Sequence, residues 1–196
     1  MSDDTLPERI RNRNRVLLLL LFAMFFGSML VAGLLRFSGW RPQGTKNVGE
    51  LLDPPSDARA LSPRLVDGGE YAWKSGERIW RIVVAPPAQC GAECERVAGE
   101  IDTVWQLFGK DADEVHVLWL CATADCQWPQ KVARPATLKI LQPDAELRAR
   151  LPRVDQPGPG LPAYVVDPYG FVILRYPPGF DPGGLRTDVA RLVKVK

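Results

Sequence analysis

Residues Trp80 to Cys121 read WRIVVAPPAQCGAECERVAGEIDTVWQLFGKDADEVHVLWLC, and their pattern predicts the fold class of the chain. Two short apolar runs, RIVVA and VHVLWL, are typical of buried strands. Between them, apolar residues recur at the spacing of an amphipathic helix, which Gly109 would end. A strand, a helix and a second strand in this order predict a parallel pair joined by a right-handed crossover.

Further elements are predicted on both sides of this unit. EYAWKSGERIWRIVVAP, residues 70–86, predicts two strands about a turn at Ser75 and Gly76, and the second of them is the first strand of the unit. Beyond Cys121, ATLKIL predicts a short strand and PDAELRARL predicts a short helix that begins at Pro143.

The clearest hairpin in the chain is PAYVVDPYGFVILRY, residues 162–176. Its turn lies at residues 167–170, where a proline sets φ and a glycine closes the turn. A last amphipathic helix follows from Leu185 to Val195. The element order predicts an α/β fold with a thioredoxin-like mixed sheet flanked by helices.

Twenty uncharged residues run from Val16 to Leu35. A helix of this length is about 30 Å long, which is the thickness of a bilayer core. A cleavable signal peptide is the alternative, but its apolar region is usually about 7 to 15 residues long. We therefore expect one uncleaved N-terminal transmembrane helix before the α/β domain.

Basic residues flank this helix unevenly, because four arginines crowd its N-terminal side at Arg9, Arg11, Arg13 and Arg15. The positive-inside rule then places the N-terminus in the cytoplasm. For a bacterial chain, this predicts a single-pass protein of the inner membrane with a periplasmic C-terminal domain. The predicted divisions are the cytoplasmic N-terminus (1–15), the signal-anchor (16–35), an extended periplasmic linker (36–64) and the thioredoxin-like domain (65–196).

Charge and motifs exclude several functional classes. The chain has 25 Lys and Arg residues against 23 Asp and Glu residues, without the basic excess of a nucleic-acid-binding surface. It contains no Gly-rich phosphate loop, no Ser/His/Asp order and no zinc-binding spacing. We therefore expect no nucleic-acid partner, and neither a hydrolase nor a nucleotide-dependent enzyme.

Cys90 and Cys94 follow the first strand of the unit and lie one helical turn apart. The N-terminus of a helix lowers the pKa of a thiol toward the reactive thiolate, which both disulfide exchange and soft-metal binding require. The pair is therefore a candidate catalytic dithiol and a candidate Cu(I) ligand pair. A structural disulfide at the start of the helix is the alternative.

Two segments carry a resemblance to a known family. LVDGGEYAWKSGERIWRIVVAPPAQCGAEC, residues 65–94, and AYVVDPYGFVILRY, residues 163–176, together with the N-terminal anchor, resemble the Sco/SenC family. Those are membrane-anchored thioredoxin-fold proteins that deliver copper or reducing equivalents to the copper centre of cytochrome c oxidase. The resemblance implies a respiratory oxidase subunit or its assembly factors as partner, and copper held by Cys90 and Cys94.

The chain departs from the Sco/SenC pattern at the residues that follow the two cysteines and at the third copper ligand. The family has a proline after each cysteine, whereas Gly91 and Glu95 follow the cysteines here. Its third copper ligand is a histidine five positions before the hairpin tyrosine, and counting back from Tyr164 gives Pro159. Cu(I) binding by the two cysteines, alone or with another donor, stays open.

Three further positions are singled out. GLPAYVV resembles the thioredoxin segment with a cis-proline before the strand that faces the cysteines, so Pro162 is the candidate cis-proline. Cys121 and Cys126 are predicted to form a second disulfide in an oxidising compartment. Alternatively, Cys121 lies at the same sheet edge as Cys90 and acts as a resolving thiol or an extra ligand. His116, the only histidine, is predicted to pack in its strand and not to bind metal.

The leading hypothesis is a membrane-anchored, thioredoxin-like accessory factor in cytochrome c oxidase assembly. It would act by thiol–disulfide exchange, with Cys90 attacking and Cys94 resolving, or by Cu(I) handling through both sulfurs. The alternatives are a non-catalytic membrane-anchored scaffold with structural disulfides and a general periplasmic thiol reductant.

Overall fold

A computed structural model describes residues 5–38 and 46–194 of the chain, which divides into two compact units, Met1–Thr45 and Lys46–Lys196. The first unit contains one helix, α1, Thr5–Phe37. Its stretch Ile10–Phe37 is long and apolar enough to cross a membrane, and its large apolar side chains are exposed. The predicted apolar N-terminal helix is therefore confirmed, and its exposed apolar surface suits a lipid environment.

The second unit is built on one six-stranded mixed sheet with the strand order β1-β6-β5-β2-β3-β4. The strands are β1 Glu50–Asp57, β2 Trp80–Val84, β3 Val115–Leu120, β4 Leu138–Leu141, β5 Ala163–Val166 and β6 Phe171–Tyr176. β2, β3 and β4 are parallel, whereas β5, β6 and β1 are added by antiparallel pairing. The predicted α/β, thioredoxin-like fold is confirmed.

Helices cover both faces of this sheet: α2 Ala92–Gln106, α3 Ala145–Ala149 and α4 Pro182–Val193. One buried cluster joins α2 and α4 to the sheet through residues such as Ile101 and Val189. A second cluster lies on the other face, where α3 contributes Leu147 and the segment before β2 contributes Tyr71 and Trp73. The central strands are buried on both faces, which explains their continuous apolar runs.

The structure differs from the sequence-based expectation at residues 70–86. Only Trp80–Val84 is a strand, and Ser75–Glu77 forms a 3₁₀ turn. Lys74 and Arg78 on either side of that turn have positive φ values of 34° and 53°. Left-handed backbone cannot continue a β-ladder, so the predicted first strand of this hairpin is replaced by a loop that packs on the sheet.

The other difference is β1, which lies inside the expected linker 36–64. It pairs with β6 at its two ends, and the register shifts between Leu51 and Ser56, where the sequence is Leu-Asp-Pro-Pro. Proline cannot donate to a ladder, so such a segment is tolerated only at the edge of a sheet and with a bulge. The bond between Asp53 and Pro54 is cis.

The segment leading into β1 is held by a buried carboxylate. Asp188 of α4 accepts hydrogen bonds from the backbone N–H groups of Val48 and Gly49 at 2.7 and 2.9 Å. It also accepts one from the hydroxyl of Tyr176 at 2.8 Å. A Cβ at Gly49 would lie 2.6 Å from the ring of Tyr176, so only glycine allows this approach. These contacts start the edge strand at Glu50.

Candidate functional site

The candidate site begins where β2 ends. Two prolines follow the strand, so the ladder stops there, and the chain turns through a short loop to Cys90. α2 then starts at Ala92, with Gly91 as its N-cap residue and no side chain capping it. The positive end of the helix dipole therefore lies at the segment that carries the cysteines, and it favours a negative charge there.

Cys90 and Cys94 are joined in a disulfide with a Cα–Cα distance of 5.4 Å. Cys94 lies in the first turn of α2 and is buried, with 6% of its surface exposed. Cys90 precedes the helix and is partly exposed. The pair therefore presents one sulfur to a reaction partner and keeps the other beneath it, which is the arrangement that attack at Cys90 and resolution by Cys94 require.

A second disulfide joins Cys121 to Cys126, with a Cα–Cα distance of 5.6 Å. Cys121 follows β3 directly and is buried, whereas Cys126 is partly exposed. Cys90, Cys94 and Cys126 all line one cleft of about 330 Å³, so both bridges face the same space. The sequence favoured this second bridge and gave the sheet edge shared with Cys90 as the alternative; the structure contains both features.

The rim of this cleft carries two carboxylates. Glu95 lies 3.3 Å from the ammonium group of Lys131, and both side chains are largely exposed. Asp125 lies on the opposite loop, where a hydrogen bond with the side chain of Thr123 lowers the pKa of its carboxyl. These charges disfavour a nearby thiolate, whereas the N-terminus of α2 favours it.

Sequence reasoning missed the two tryptophans behind the cleft. Trp119 of β3 lines the cleft and meets Trp128 edge to face at a centroid distance of 5.0 Å. Both are fully buried. Among the described residues, the indole Nε1 of Trp119 has no hydrogen-bond partner. The only sequence feature that could have placed these tryptophans at the cleft was their position on either side of CATADC. A tryptophan in a buried strand otherwise indicates only a place in the core.

His116 lies at the opposite end of β3 from the cysteines. Five residues of extended strand separate it from Cys121, which is about 16 Å. Its Nδ1 is 2.8 Å from the hydroxyl of Tyr71. Burial, with the positive charges of Arg81 and Lys139, lowers the pKa of His116 to about 4. It therefore packs as expected and cannot act with the cysteines as a ligand.

Pro162 is buried and directly precedes β5, whose Ala163 pairs with Val84 of β2. It therefore lies beside the cysteine-bearing end of β2. The expectation of a cis bond before Pro162 is wrong, because the only cis peptide in residues 5–38 and 46–194 precedes Pro54. Most X-Pro bonds are trans, and the likeness to the thioredoxin segment does not extend to this bond.

Within the described part of the chain, no group of three or more His, Cys, Asp or Glu side chains could hold a metal ion. The four cysteines are all oxidised. A soft cation would therefore need a reduced pair, and each pair would supply two sulfurs.

A family model described as transmembrane-like, thioredoxin-like, C-terminal domain matches residues 80–196. No curated protein matches the chain. Solved structures with a similar fold include BsSco, a member of the Sco family of cytochrome c oxidase assembly proteins. It is 13% identical, with a TM-score of 0.52 and coverage of 79% of this chain and 99% of its own.

Two copper-bound structures share the same fold. ScoI of Arabidopsis thaliana is 13% identical, covers 76% of this chain and 99% of its own, and has a TM-score of 0.52. ScoI of Bradyrhizobium japonicum is 17% identical, covers 74% of this chain and 99% of its own, and has a TM-score of 0.50. At these identities the likeness concerns the fold, and at that level the resemblance to Sco/SenC proteins is confirmed.

Proposed function

The chain belongs to the transmembrane-like, thioredoxin-like C-terminal domain family, and we propose that it is a membrane-anchored thiol–disulfide exchange protein. Its reactive pair is Cys90 and Cys94. The observation that carries the proposal is the placement of this disulfide in the first turn of α2, at the mouth of a cleft, with Cys90 partly exposed and Cys94 buried. Thiols at a helix N-terminus are the reactive kind.

The exchange needs only the two cysteines and a partner. In the reduced chain, the Cys90 thiolate attacks one sulfur of a partner disulfide, and the other partner sulfur leaves as a thiolate. The Cys94 thiolate then attacks Cys90 and releases the second partner sulfur. The chain ends oxidised, the partner ends reduced by two electrons, and the two thiol protons pass to the partner's sulfurs. A dithiol partner reverses every step.

Copper enters the proposal as cargo. Two thiolates are suitable ligands for Cu(I), so the reduced Cys90 and Cys94 would hold one ion between their sulfurs. His116 is too far away and already bonded to Tyr71. Copper binding and disulfide exchange therefore exclude each other at any moment, since the oxidised pair has no thiolate to offer.

The cellular role that we propose is accessory to assembly of the copper centre of cytochrome c oxidase, carried out at the outer face of a bacterial inner membrane. The helix α1, the basic residues in its N-terminal part and the Sco-like fold support this placement. The oxidised cysteines also suit the periplasm. The partner would be an oxidase subunit or one of its assembly factors.

The first test measures the reduction potential of Cys90–Cys94 in the full chain in detergent. The chain is equilibrated with dithiothreitol buffers, alkylated and mapped by peptide mass spectrometry. We expect a potential above about −270 mV, because exchange proteins lie in that range. A value below about −300 mV would mark the bridge as structural and would favour the scaffold alternative.

The second test separates copper from thiol chemistry. Anaerobic Cu(I) titration of the reduced chain with Cys121→Ser and Cys126→Ser, which keeps only the first pair, should show one equivalent that is lost when Cys90→Ser is added. Binding that does not depend on Cys90 would refute Cu(I) binding by this pair.

Deletion of the gene tests the cellular role and should lower oxidase activity in membranes. Intact oxidase activity with disturbed thiol states in other proteins would favour a general thiol reductant.

A further inference from the structure

We propose that Cys121–Cys126 is a second redox-active disulfide, which exchanges with the Cys90/Cys94 pair across their shared cleft. The chain would then take up two electrons at one pair and release them at the other. This inference rests on the proposed function, because it requires that Cys90 and Cys94 react.

The sheet brings the two pairs to one edge. β2 and β3 are parallel neighbours, and Val84 at the end of β2 is in register with Trp119. Cys121 lies two residues beyond Trp119, so a continued register would bring it opposite the segment that leads from β2 to Cys90. The carboxyl ends of parallel strands meet at the same edge, and here that edge carries both bridges around one cleft of about 330 Å³.

Each bridge has one sheltered and one accessible cysteine. Cys94 and Cys121 are 6% and 2% exposed, whereas Cys90 and Cys126 are partly exposed. Cys90, Cys94 and Cys126 line the cleft. All four belong to or pack against the same core cluster. The route with least rearrangement therefore runs between Cys90 and Cys126, and the buried sulfurs resolve it.

The second bridge closes a short loop whose ends are held by other contacts. The backbone N–H of Cys121 donates to the carbonyl of Leu141 at 3.1 Å. After the loop, the indole of Trp128 donates to the carbonyls of Val132 and Ala133 at 3.2 and 3.1 Å. Opening the bridge therefore leaves both ends in place, and Cys126 can move between them.

Cys126 also borders a second cleft of about 420 Å³, on the side of β4, which Arg134 and Lys139 line. Cys90 does not line that cleft. A dithiol protein could therefore react at Cys90 from one side while a disulfide protein reacts at Cys126 from the other. Two separate access points are what a relay needs and what a loop staple does not.

The relay step is balanced within the chain. The Cys90 thiolate attacks Cys126, the bond from Cys126 to Cys121 breaks, and Cys121 leaves as a thiolate. Cys94 then attacks Cys90, and Cys126 leaves as the second thiolate. The first pair is oxidised by two electrons, the second is reduced by two, and the two thiol protons of Cys90 and Cys94 pass to Cys121 and Cys126.

The test traps the intermediate in the full chain in detergent. A variant with Cys94→Ser and Cys121→Ser keeps only the two more accessible cysteines, Cys90 and Cys126. Mild oxidation should link these two in more than about half of the monomer, because tethered thiols react at a high effective concentration. The matched control, with Cys90→Ser and Cys126→Ser, should link less than about a tenth of the monomer, since a buried thiol is inert.

Failure of the link in a variant that keeps its far-ultraviolet circular dichroism would overturn the relay, and so would equal linking in the control. The single variant Cys94→Ser covers the case of a misfolded double variant. Its Cys90 should form a bond to Cys126 and release a free thiol at Cys121, and an unbroken Cys121–Cys126 bridge would again refute the proposal.

A third variant distinguishes failure of the relay from failure of the proposed exchange at Cys90 and Cys94. A chain with Cys121→Ser and Cys126→Ser reports the exchange at Cys90–Cys94 alone. If that chain exchanges with a dithiol while the trap fails, only the relay is wrong. If it does not exchange at all, the proposed function fails as well.

Discussion

The two ends of the central strands β2 and β3 differ in whether their polar or reactive groups are bonded within the protein or border a cleft. At their beginnings, Arg81 and His116 are register partners and are engaged with other protein groups. At their ends, the chain places two disulfides around an open cleft. We call the first the closed end, because its polar groups are hydrogen-bonded to one another. We call the second the open end, because its sulfurs border a cleft that a partner could enter.

The closed end is organised by Arg81, which is almost completely buried. Its guanidinium donates to the hydroxyl of Tyr71 at 2.9 Å, to the carbonyls of Ile79 and Asp167 at 2.7 and 3.0 Å, and to the carbonyl of Trp73. The hydroxyl of Tyr71 also lies 2.8 Å from Nδ1 of His116. The pKa of His116, lowered to about 4, keeps its ring neutral at neutral pH.

This difference teaches where chemistry is possible in the molecule. A buried group whose hydrogen-bonding capacity is used cannot bind a ligand without first losing a partner, so the Arg81 network stabilises the fold. The sulfurs at the other end are linked only to each other, and exchange replaces one S–S bond by another. The closed end should therefore dominate stability and the open end should dominate reactivity.

The largest effect on stability is expected from Arg81→Met. The variant leaves a hydroxyl and three carbonyl groups without their donor, so the free energy of unfolding should fall by at least about 3 kcal/mol. Denaturant unfolding of the full chain in detergent, followed by tryptophan fluorescence, measures it. Arg134→Met, at an exposed arginine, is the matched control. Equal midpoints for the two variants would refute the role of the network.

Removal of the first bridge should cost less. A disulfide that closes so short a loop adds about 2 kcal/mol, so a variant with Cys90→Ala and Cys94→Ala should lose no more than that while losing the exchange that depends on this pair. The same unfolding experiment and a dithiol exchange assay measure the two effects. A loss of unfolding free energy as large as that of Arg81→Met would identify the pair as a structural bridge. It would also contradict the expectation that the closed end dominates stability.

The smallest effect is a dependence on pH. The pKa of His116 is about 4 in the folded chain and 6.5 when unperturbed. The unfolded state therefore binds the proton first, and stability falls as the pH decreases from 6.5 to 4. Since the ring is only partly buried, solvent screening limits the loss to about 1 kcal/mol. Unfolding at pH 7 and pH 4 should show a smaller loss in His116→Gln; an unchanged loss would contradict this assignment.

The sequence predicted the elements that have a clear period or turn. The helix after Cys90, the strand before Cys121 and the hairpin about residues 167–170 follow from side-chain spacing and turn chemistry, and all are present. The edge strand β1 was missed because Pro54 and Pro55 are typical of a spacer. Its pairing depends on β6, which lies more than 100 residues away in the chain, and no local pattern reports such a contact.

For the candidate site, the sequence identified the four cysteines and favoured a bridge between Cys121 and Cys126, because thiol spacing is a local feature, but it left the pairing of Cys90 and Cys94 and the common edge open. It did not identify the tryptophans behind the cleft or the rim carboxylates, since these meet only after the loops fold over the sheet. The bond before Pro162 depends on small energy differences between isomers, which tertiary packing decides.

By itself, the amino-acid sequence determined the apolar N-terminal helix, the βαβ unit and the position of two thiols at the start of a helix, because each depends on residues that are near one another in the chain. Only the tertiary structure decided that Arg81, Tyr71 and His116 form one closed network and that the two disulfides border one cleft. Those arrangements depend on strand register and on the packing of distant loops, and they decide which end of the sheet stays open to a partner.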